Sequence, residues 1–382
     1  MTDLKNNRLR KFGILSLALY LATNNIINGA LIFMQKDLGI SLGSAEFLVT
    51  LSAISTVIFI LLSETITRKI GIKNCVKLGL FLVGLSGLLP LVSKTYISVF
   101  ISRLILGCGI GLFNGHSANL INIFYKNDQA SHLHGIRNSM EYAGQMLLLF
   151  IAGLLVKFGW NYAFIAYSLA FLILTFFSKN VEDVEVDLEK EKFKINKQIF
   201  FYILFAGFMV LNTTAISIKF PYIASKALGM DANINMLMMV LPLSGMVSGF
   251  LFGRINKILR SKTILFGIIL YIITNILVGA FGSNIYIYMV SMAMTSFAQS
   301  LCTPYIFIEI ARFSRSSSSR IINNLIFVGC NLGGFLASIY LNTITKILNL
   351  SSPTLAFMSF GFFYAILFAI FFYEYLSVRA YK

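Results

Sequence analysis

Arg103-Leu-Ile-Leu-Gly-Cys-Gly-Ile-Gly-Leu-Phe-Asn-Gly115 plants one cation at the edge of a run, Leu104 to Tyr125, that has no Asp, Glu, Lys or Arg. A charge inside hydrocarbon costs about 2.5–3.5 kcal/mol on insertion scales, so such residues face a bundle interior or a wet cavity. At helical spacing Arg103, Gly107, Gly111, Asn114 and Ala118 share one face. That face carries a charge, two missing side chains and an amide. The glycines let another helix backbone come close, and the guanidinium can then reach carbonyls or a carboxylate across the gap. Two roles are open for Arg103: a tie between helices, or a part in handling a solute or a proton.

Composition puts this helix in a bilayer. Of 382 residues, 57% are apolar and only 12% charged, and the mean hydropathy is +0.81. A soluble chain of this length needs more charge to cover its surface, so the expected class is a polytopic membrane protein. The net charge of +16 is then a matter of topology and not a nucleic-acid footprint. Cys75, Cys108, Cys302 and Cys330 are scattered, and His116, His132 and His134 show no ligand spacing. Neither a disulfide framework nor a metal site is expected. The absence of a G-x-x-x-x-G-K-[ST] loop argues against a nucleotide-driven pump. Lys5, Arg8, Arg10 and Lys11 precede a long apolar run without a small-residue cleavage site, which reads as a first transmembrane helix.

A helix needs about 20 apolar residues to cross the hydrocarbon. Twelve spans meet that: 12–34, 46–63, 78–93, 96–124, 138–157, 160–178, 199–223, 232–252, 263–281, 285–308, 321–343 and 353–376. These define helices 1 to 12. Gly282-Ser-Asn284 is the turn that splits the uncharged run Thr263 to Ile308 in two. The side that holds both termini carries Lys5, Arg8, Arg10, Lys11, Arg68, Lys69, Lys73, Lys77, Lys126, Arg137, the five lysines of residues 179–198, Arg254, Lys257, Arg260, Lys262, Arg312, Arg315, Arg320, Arg379 and Lys382. The other side has Lys36, Lys94, Lys157, Lys219, Lys226 and Lys346. The bias is roughly fourfold, so both termini are expected in the cytoplasm. Residues 179–198, with Glu182, Asp183, Glu185, Asp187, Glu189 and Glu191 among five lysines, read as a solvated cytoplasmic connector. It separates an N-terminal six-helix half, 1–178, from a C-terminal half, 199–382. The halves echo one another, since Arg137 opens helix 5 and Arg320 opens helix 11.

Arg103 followed by Gly107, Gly109 and Gly111 resembles the fourth-helix signature of the major facilitator superfamily, R-x-x-x-G-x-G-x-G. The loop after helix 2 also resembles the family's G-x-x-x-D-R-x-G-R-K motif, retaining its basic residues, Gly71 and Lys73. Glu64 stands where the family has its first glycine and Arg68 where it has aspartate. That aspartate helps latch the cytoplasmic side closed in the family, and Glu64, one turn earlier, is a candidate replacement. The copy after helix 8 keeps Gly249, Gly253 and Arg254. Helix 5, Arg137-Asn-Ser-Met-Glu141-Tyr-Ala-Gly144-Gln145, lacks the antiporter signature G-x-x-x-G-P-x-x-G-G. The resemblance implies an all-α membrane fold of two pseudo-symmetric six-helix bundles around a central path. It makes Glu64, Arg68, Gly71, Lys73, Gly249, Gly253 and Arg254 the candidate cytoplasmic gate.

Polar groups inside the spans are the candidate path: Asn24, Asn25 and Asn28; Arg103, Asn114 and His116; Gln145; Asn212 and Thr213; Gln299 and Tyr305; Asn324 and Asn331. Hydrogen bonding between helices is the alternative for most of them. Glu141 reads as the one carboxylate well inside the hydrocarbon, a candidate proton carrier along with Arg103. The competing reading pairs Glu141 with Arg137 at i, i+4. The expectation is a secondary transporter of a small organic solute, not an enzyme, working by alternating access in the cytoplasmic membrane. It needs no cofactor, being driven by an ion gradient, with protons as the first choice, and it acts as a monomer in the bilayer. Proton-coupled efflux is the leading direction. Uptake or uniport of a neutral or anionic metabolite, and a lipid-handling or sensor role, are the alternatives.

Overall fold

The structure is a computed structural model that describes residues 2–184, 196–229, 232–313 and 319–380. Of the charges counted above, Glu185, Asp187, Glu189, Lys190, Glu191, Lys192, Lys194, Arg315 and Lys382 lie outside the described residues. The described residues make twelve helical passes. Helix 1 is broken into Thr2–Ser16, Leu17–Tyr20, Ile26–Ala30 and Leu31–Asp37. Helices 2 to 5 are Leu42–Ile70, Ile72–Val92, Tyr96–Phe124 and Asn127–Leu155, and helix 6 spans Trp160–Asn180. Helix 7 is Lys197–Leu228, helix 8 runs as Ile234–Met238 and Val240–Leu259, and helix 9 is Thr263–Phe281. Helices 10 to 12 are Ile285–Phe313, Ser319–Ile347 and Phe357–Ala380.

Local chemistry sets several ends. Ser41 accepts from the amide of Ser44 at 3.1 Å and starts helix 2, four residues before its expected span. Thr95 does the same for helix 4 through Ser98, at 3.2 Å, and Asn196 caps helix 7 through Gln198, at 2.9 Å. Such caps satisfy amides that a helix start leaves bare. Gly71 separates helices 2 and 3 at φ +82°, in the left-handed region. A side chain there would be strained by backbone conformation, since the nearest atom to an added Cβ, Asp183 Oδ1, is 3.7 Å away.

The packing repeats itself. Helix 4 lies against helices 2 and 3, and helix 3 against helix 6; helix 10 lies against helices 8 and 9, and helix 9 against helix 12. Helices 1 and 5 pair in one set as helices 7 and 11 do in the other. The result is two pseudo-symmetric six-helix bundles. They meet along helices 2 and 11 and along helices 5 and 8, contacts that exchange under the same pseudo-symmetry.

Candidate functional site

The glycine face of helix 4 does what its spacing promised. At Gly111 an added Cβ would meet Thr56 O at 2.7 Å and Ile60 N at 3.0 Å, and at Gly107 it would run into the Ser52 carbonyl, all on helix 2. Gly109, on the other face, lies against helix 3, where an added Cβ would meet Gly79 O at 2.6 Å. Arg103 is fully buried beside this contact. Its Nε donates to Leu48 O at 3.2 Å and its Nη1 to the Tyr167 hydroxyl at 2.9 Å. Its Nη2 donates to Asn24 O and Val49 O, each at 2.6 Å, and to Ser52 Oγ at 2.8 Å. All three nitrogens are engaged, by helices 1, 2 and 6 of its own bundle.

Two of those contacts explain why a cation sits here. Helix 1 is unwound between Tyr20 and Ile26. In the middle of this break Asn24 O accepts from Arg103, and Thr23 O accepts from the Tyr167 hydroxyl at 3.2 Å. Irregular backbone survives at membrane depth only where protein groups satisfy it. Arg103 and Tyr167 supply those donors, which favours the tie over solute handling. Asn24 contributes its backbone carbonyl, while its side-chain oxygen accepts from Ser52 at 3.1 Å. Asn25 precedes the next helical turn without a side-chain cap bond.

On the side away from the termini, five polar links join the bundles among the described residues. Glu46 on helix 2 is buried and takes both bonds from Lys219 Nζ on helix 7, at 2.7 and 2.9 Å. Asn28 donates to Ser217 at 2.9 Å, and the Gly29 amide donates to Asn235 at 2.7 Å. Asn233 donates to Gly153 O at 2.7 Å, and Thr50 lies 3.0 Å from Ser338, hydroxyl to hydroxyl. Glu46 is a second intramembrane carboxylate, so Glu141 does not stand alone as the sequence suggested. The early start of helix 2 places Glu46 a turn inside it, where the expected span made it the first residue. Its partner is 173 residues away, and no spacing in the chain signals it.

Helix 5 presents a different face between the bundles. Arg137, Glu141 and Gln145 follow one another at i, i+4 and i+8. The expected Arg137–Glu141 pair is not formed. Arg137 instead gives Nε to Ser117 at 3.0 Å and Nη1 to Asn138 at 3.2 Å, and its buried Nη2 has no acceptor. Among the described residues, the half-buried side chains of Glu141 and Gln145 form no hydrogen bond or ion pair. Cys330 of helix 11 lies within electrostatic reach of Glu141. The Tyr142 ring reaches Gly245 of helix 8, where an added Cβ would meet it at 2.5 Å.

The other candidate amides divide. Asn212 and Asn275 exchange bonds of 2.8 and 3.0 Å inside the second bundle, a helix 7 to helix 9 tie. His116 Nε2 lies 2.7 Å from the Thr67 hydroxyl and joins helix 4 to helix 2. Asn331 donates to Phe327 O at 2.9 Å and Thr213 to Met209 O at 3.1 Å, each on its own helix. Asn324 approaches helix 4 at Gly115, and Tyr305 is buried. Asn114 Oδ1 and Gln299 Oε1 are buried acceptors without donors. In the loops Glu64 pairs with Arg68 at 2.7 Å within helix 2, so its carboxylate is spent locally. Lys73 is half-buried at the start of helix 3, whereas Gly249, Gly253 and Arg254 are exposed.

The fold is similar to three solved transporters. It aligns with the in meso crystal structure of the POT family transporter PepTSo at a TM-score of 0.79 and 14% identity, covering 97% of this chain and 98% of that one. For the nucleoside transporter NupG the values are 0.72 and 14%, with 95% and 99% covered. For the inward open conformation of the xylose transporter XylE from E. coli they are 0.76 and 14%, with 96% of each chain covered. No curated protein matches in sequence. The Major Facilitator Superfamily itself matches over residues 13–338, and with the helix 4 signature folded as described, the chain belongs to that superfamily.

Proposed function

We propose that this protein is a secondary transporter that exports a small organic solute in exchange for protons, by rocking its two bundles about a central path. The observation that carries the reading is the buried Glu46–Lys219 pair between the bundles. Breaking such a pair strands a charge and costs about 3–5 kcal/mol. A contact of that size between rigid bodies suits a gate that closes one side and is exchanged for other contacts when it opens. The basic-residue bias supports this side as the outer one, and a closed outer side fits an inward-facing conformation. Glu141, between the bundles and without a direct ion pair to the nearby Arg137, suits the coupling group, since no bonded cation stands in the way of a proton.

Reconstituted protein in proteoliposomes, loaded with a metabolite panel, tests this. Solute is expected to leave faster with acid outside than at equal pH, and a protonophore is expected to remove the difference. Solute moving with the protons would assign uptake instead. Flux indifferent to the gradient would leave uniport, and no flux of any solute would remove the transporter reading.

A further inference from the structure

Helix 5 carries charges that its own bundle leaves unsettled. A Glu four residues from an Arg on a helix is the ordinary setting for a local ion pair. Here that pair is declined, because Ser117 and Asn138 take two of the three Arg137 nitrogens. Arg137 is only 6% exposed, and its Nη2 is left without an acceptor. A bare buried donor costs about 1–3 kcal/mol, more when it is charged. Glu141, one turn deeper, forms no direct hydrogen bond or ion pair among the described residues and feels Arg137 only across the gap between them, and it keeps partial exposure between the bundles. Asn114, also 6% exposed, adds an acceptor without a donor one turn from Ser117 on helix 4. Along the axis the two charged residues are separated by roughly 6 Å, four residues of helical rise.

We propose that the solute is a zwitterion, a small molecule with one ammonium and one carboxylate, held by Glu141 and by the free Nη2 edge of Arg137. The proposal rests on the transporter reading above and names its solute class. A neutral solute leaves both protein charges without a bonded partner, with only each other's field across the gap. A simple amine satisfies Glu141 and strands Arg137, and a simple acid does the reverse. Only a molecule carrying both signs settles the two together, and the penalty of a stranded charge is what rejects the others. Gln145, a further turn along and unbonded, offers an amide for the remaining polar groups of such a solute.

The test uses probes that share one skeleton: leucine and dileucine as zwitterions, 3-methylbutylamine as the amine, and 4-methylpentanoate as the acid. Binding is read as thermal stabilisation of the purified full chain, and transport as counterflow in proteoliposomes. At least one zwitterion is expected to bind tenfold or more tightly than either single-charge probe. Arg137→Gln is expected to erase the advantage over the amine alone, and Glu141→Gln the advantage over the acid alone. Arg137→Lys keeps the charge and is expected to keep the order of preference, which serves should the glutamine variant fold poorly. Equal binding of the amine or the acid by the unaltered protein would overturn the proposal. So would unchanged ratios in the variants, or failure of both zwitterions to bind. Counterflow of the amine or acid alone would retire the zwitterion and keep the transporter, whereas a protein inert toward every solute would retire both.

Discussion

The seam between helices 2 and 4 and the seam between helices 8 and 10 occupy equivalent places in the two bundles, yet different chemistry closes them. In the first, glycines at 107 and 111 bring two backbones together, and a single buried guanidinium spans helices 1, 2 and 6. In the second, four serine hydroxyls donate across the gap to backbone carbonyls: Ser244 to Ala293, Ser248 to Phe297, Ser296 to Leu241 and Ser300 to Gly245. Those bonds are 2.7–2.8 Å long and run in both directions. One seam gathers most of its polar bonds on a single residue, with the His116–Thr67 contact as a further link between the two helices. The other distributes its bonds over four small and similar groups. Pseudo-symmetry thus preserves the distance between helices and leaves open how that distance is held.

The comparison breaks most visibly at Arg103. Arg103→Ala leaves several acceptors bare, each costing roughly 1–3 kcal/mol, so little folded protein is expected from solubilised membranes by size-exclusion profile. Arg103→Lys is expected to fold but to melt well below the parent, because one ammonium cannot serve five acceptors spread over three nitrogens. A parent-like melting temperature for the lysine variant would show that charge suffices and the fork does not matter. Gly111→Leu ranks next. The atoms it meets, Thr56 O and Ile60 N, are backbone and cannot swing aside, so overpacking of about 1–3 kcal/mol is expected in thermal unfolding.

Across the second seam the effects are smaller and additive. Hydrogen bonds between membrane helices average about 0.6 kcal/mol, so Ser248→Ala alone is expected to shift melting only slightly. Replacing all four serines is expected to cost about 2–3 kcal/mol, close to the sum of the single changes. A collapse on the first replacement would mean that the ladder acts as one unit, as Arg103 does. The smallest effect is expected at Gly253, where no atom lies within 4 Å of an added Cβ. Gly253→Ala is expected to leave melting unchanged and to gain slightly in helix propensity.

Helix positions were legible because hydropathy is a local property. Helix 4 over 96–124 and helix 9 over 263–281 match their expected spans at both ends. The close face of helix 4 was legible for the same reason, since spacing alone puts Gly107 and Gly111 beside Arg103. The partners of Arg103 were not, because they depend on a break in helix 1 that contains neither proline nor glycine. The cluster Thr23-Asn24-Asn25, all weak helix formers, was the available hint. Its asparagines drew notice for their amides, whereas a backbone carbonyl is what Arg103 takes from position 24. Lys219 was visible singly, Glu46 was obscured as the first residue of its expected span, and their pairing is a property of the folded bundles. At Glu141 the local i, i+4 rule pointed to Arg137 and failed, because Ser117 on the neighbouring helix competes for the guanidinium.

The break in helix 1 also sets a schedule. This segment leaves the ribosome well before the groups that complete it: Arg103 lies 79 residues on from Asn24, and Tyr167 lies 144 residues on from Thr23. At about 5–20 residues per second, synthesis of the intervening chain takes on the order of ten seconds. Throughout that interval the exposed turn must stay near water or beside the insertion machinery, since lipid offers it no donor. The first half therefore matures as a unit, only once helix 6 has arrived. A nascent chain arrested after helix 3 is expected to remain open to proteases at residues 21–25, and one arrested after helix 6 to be closed.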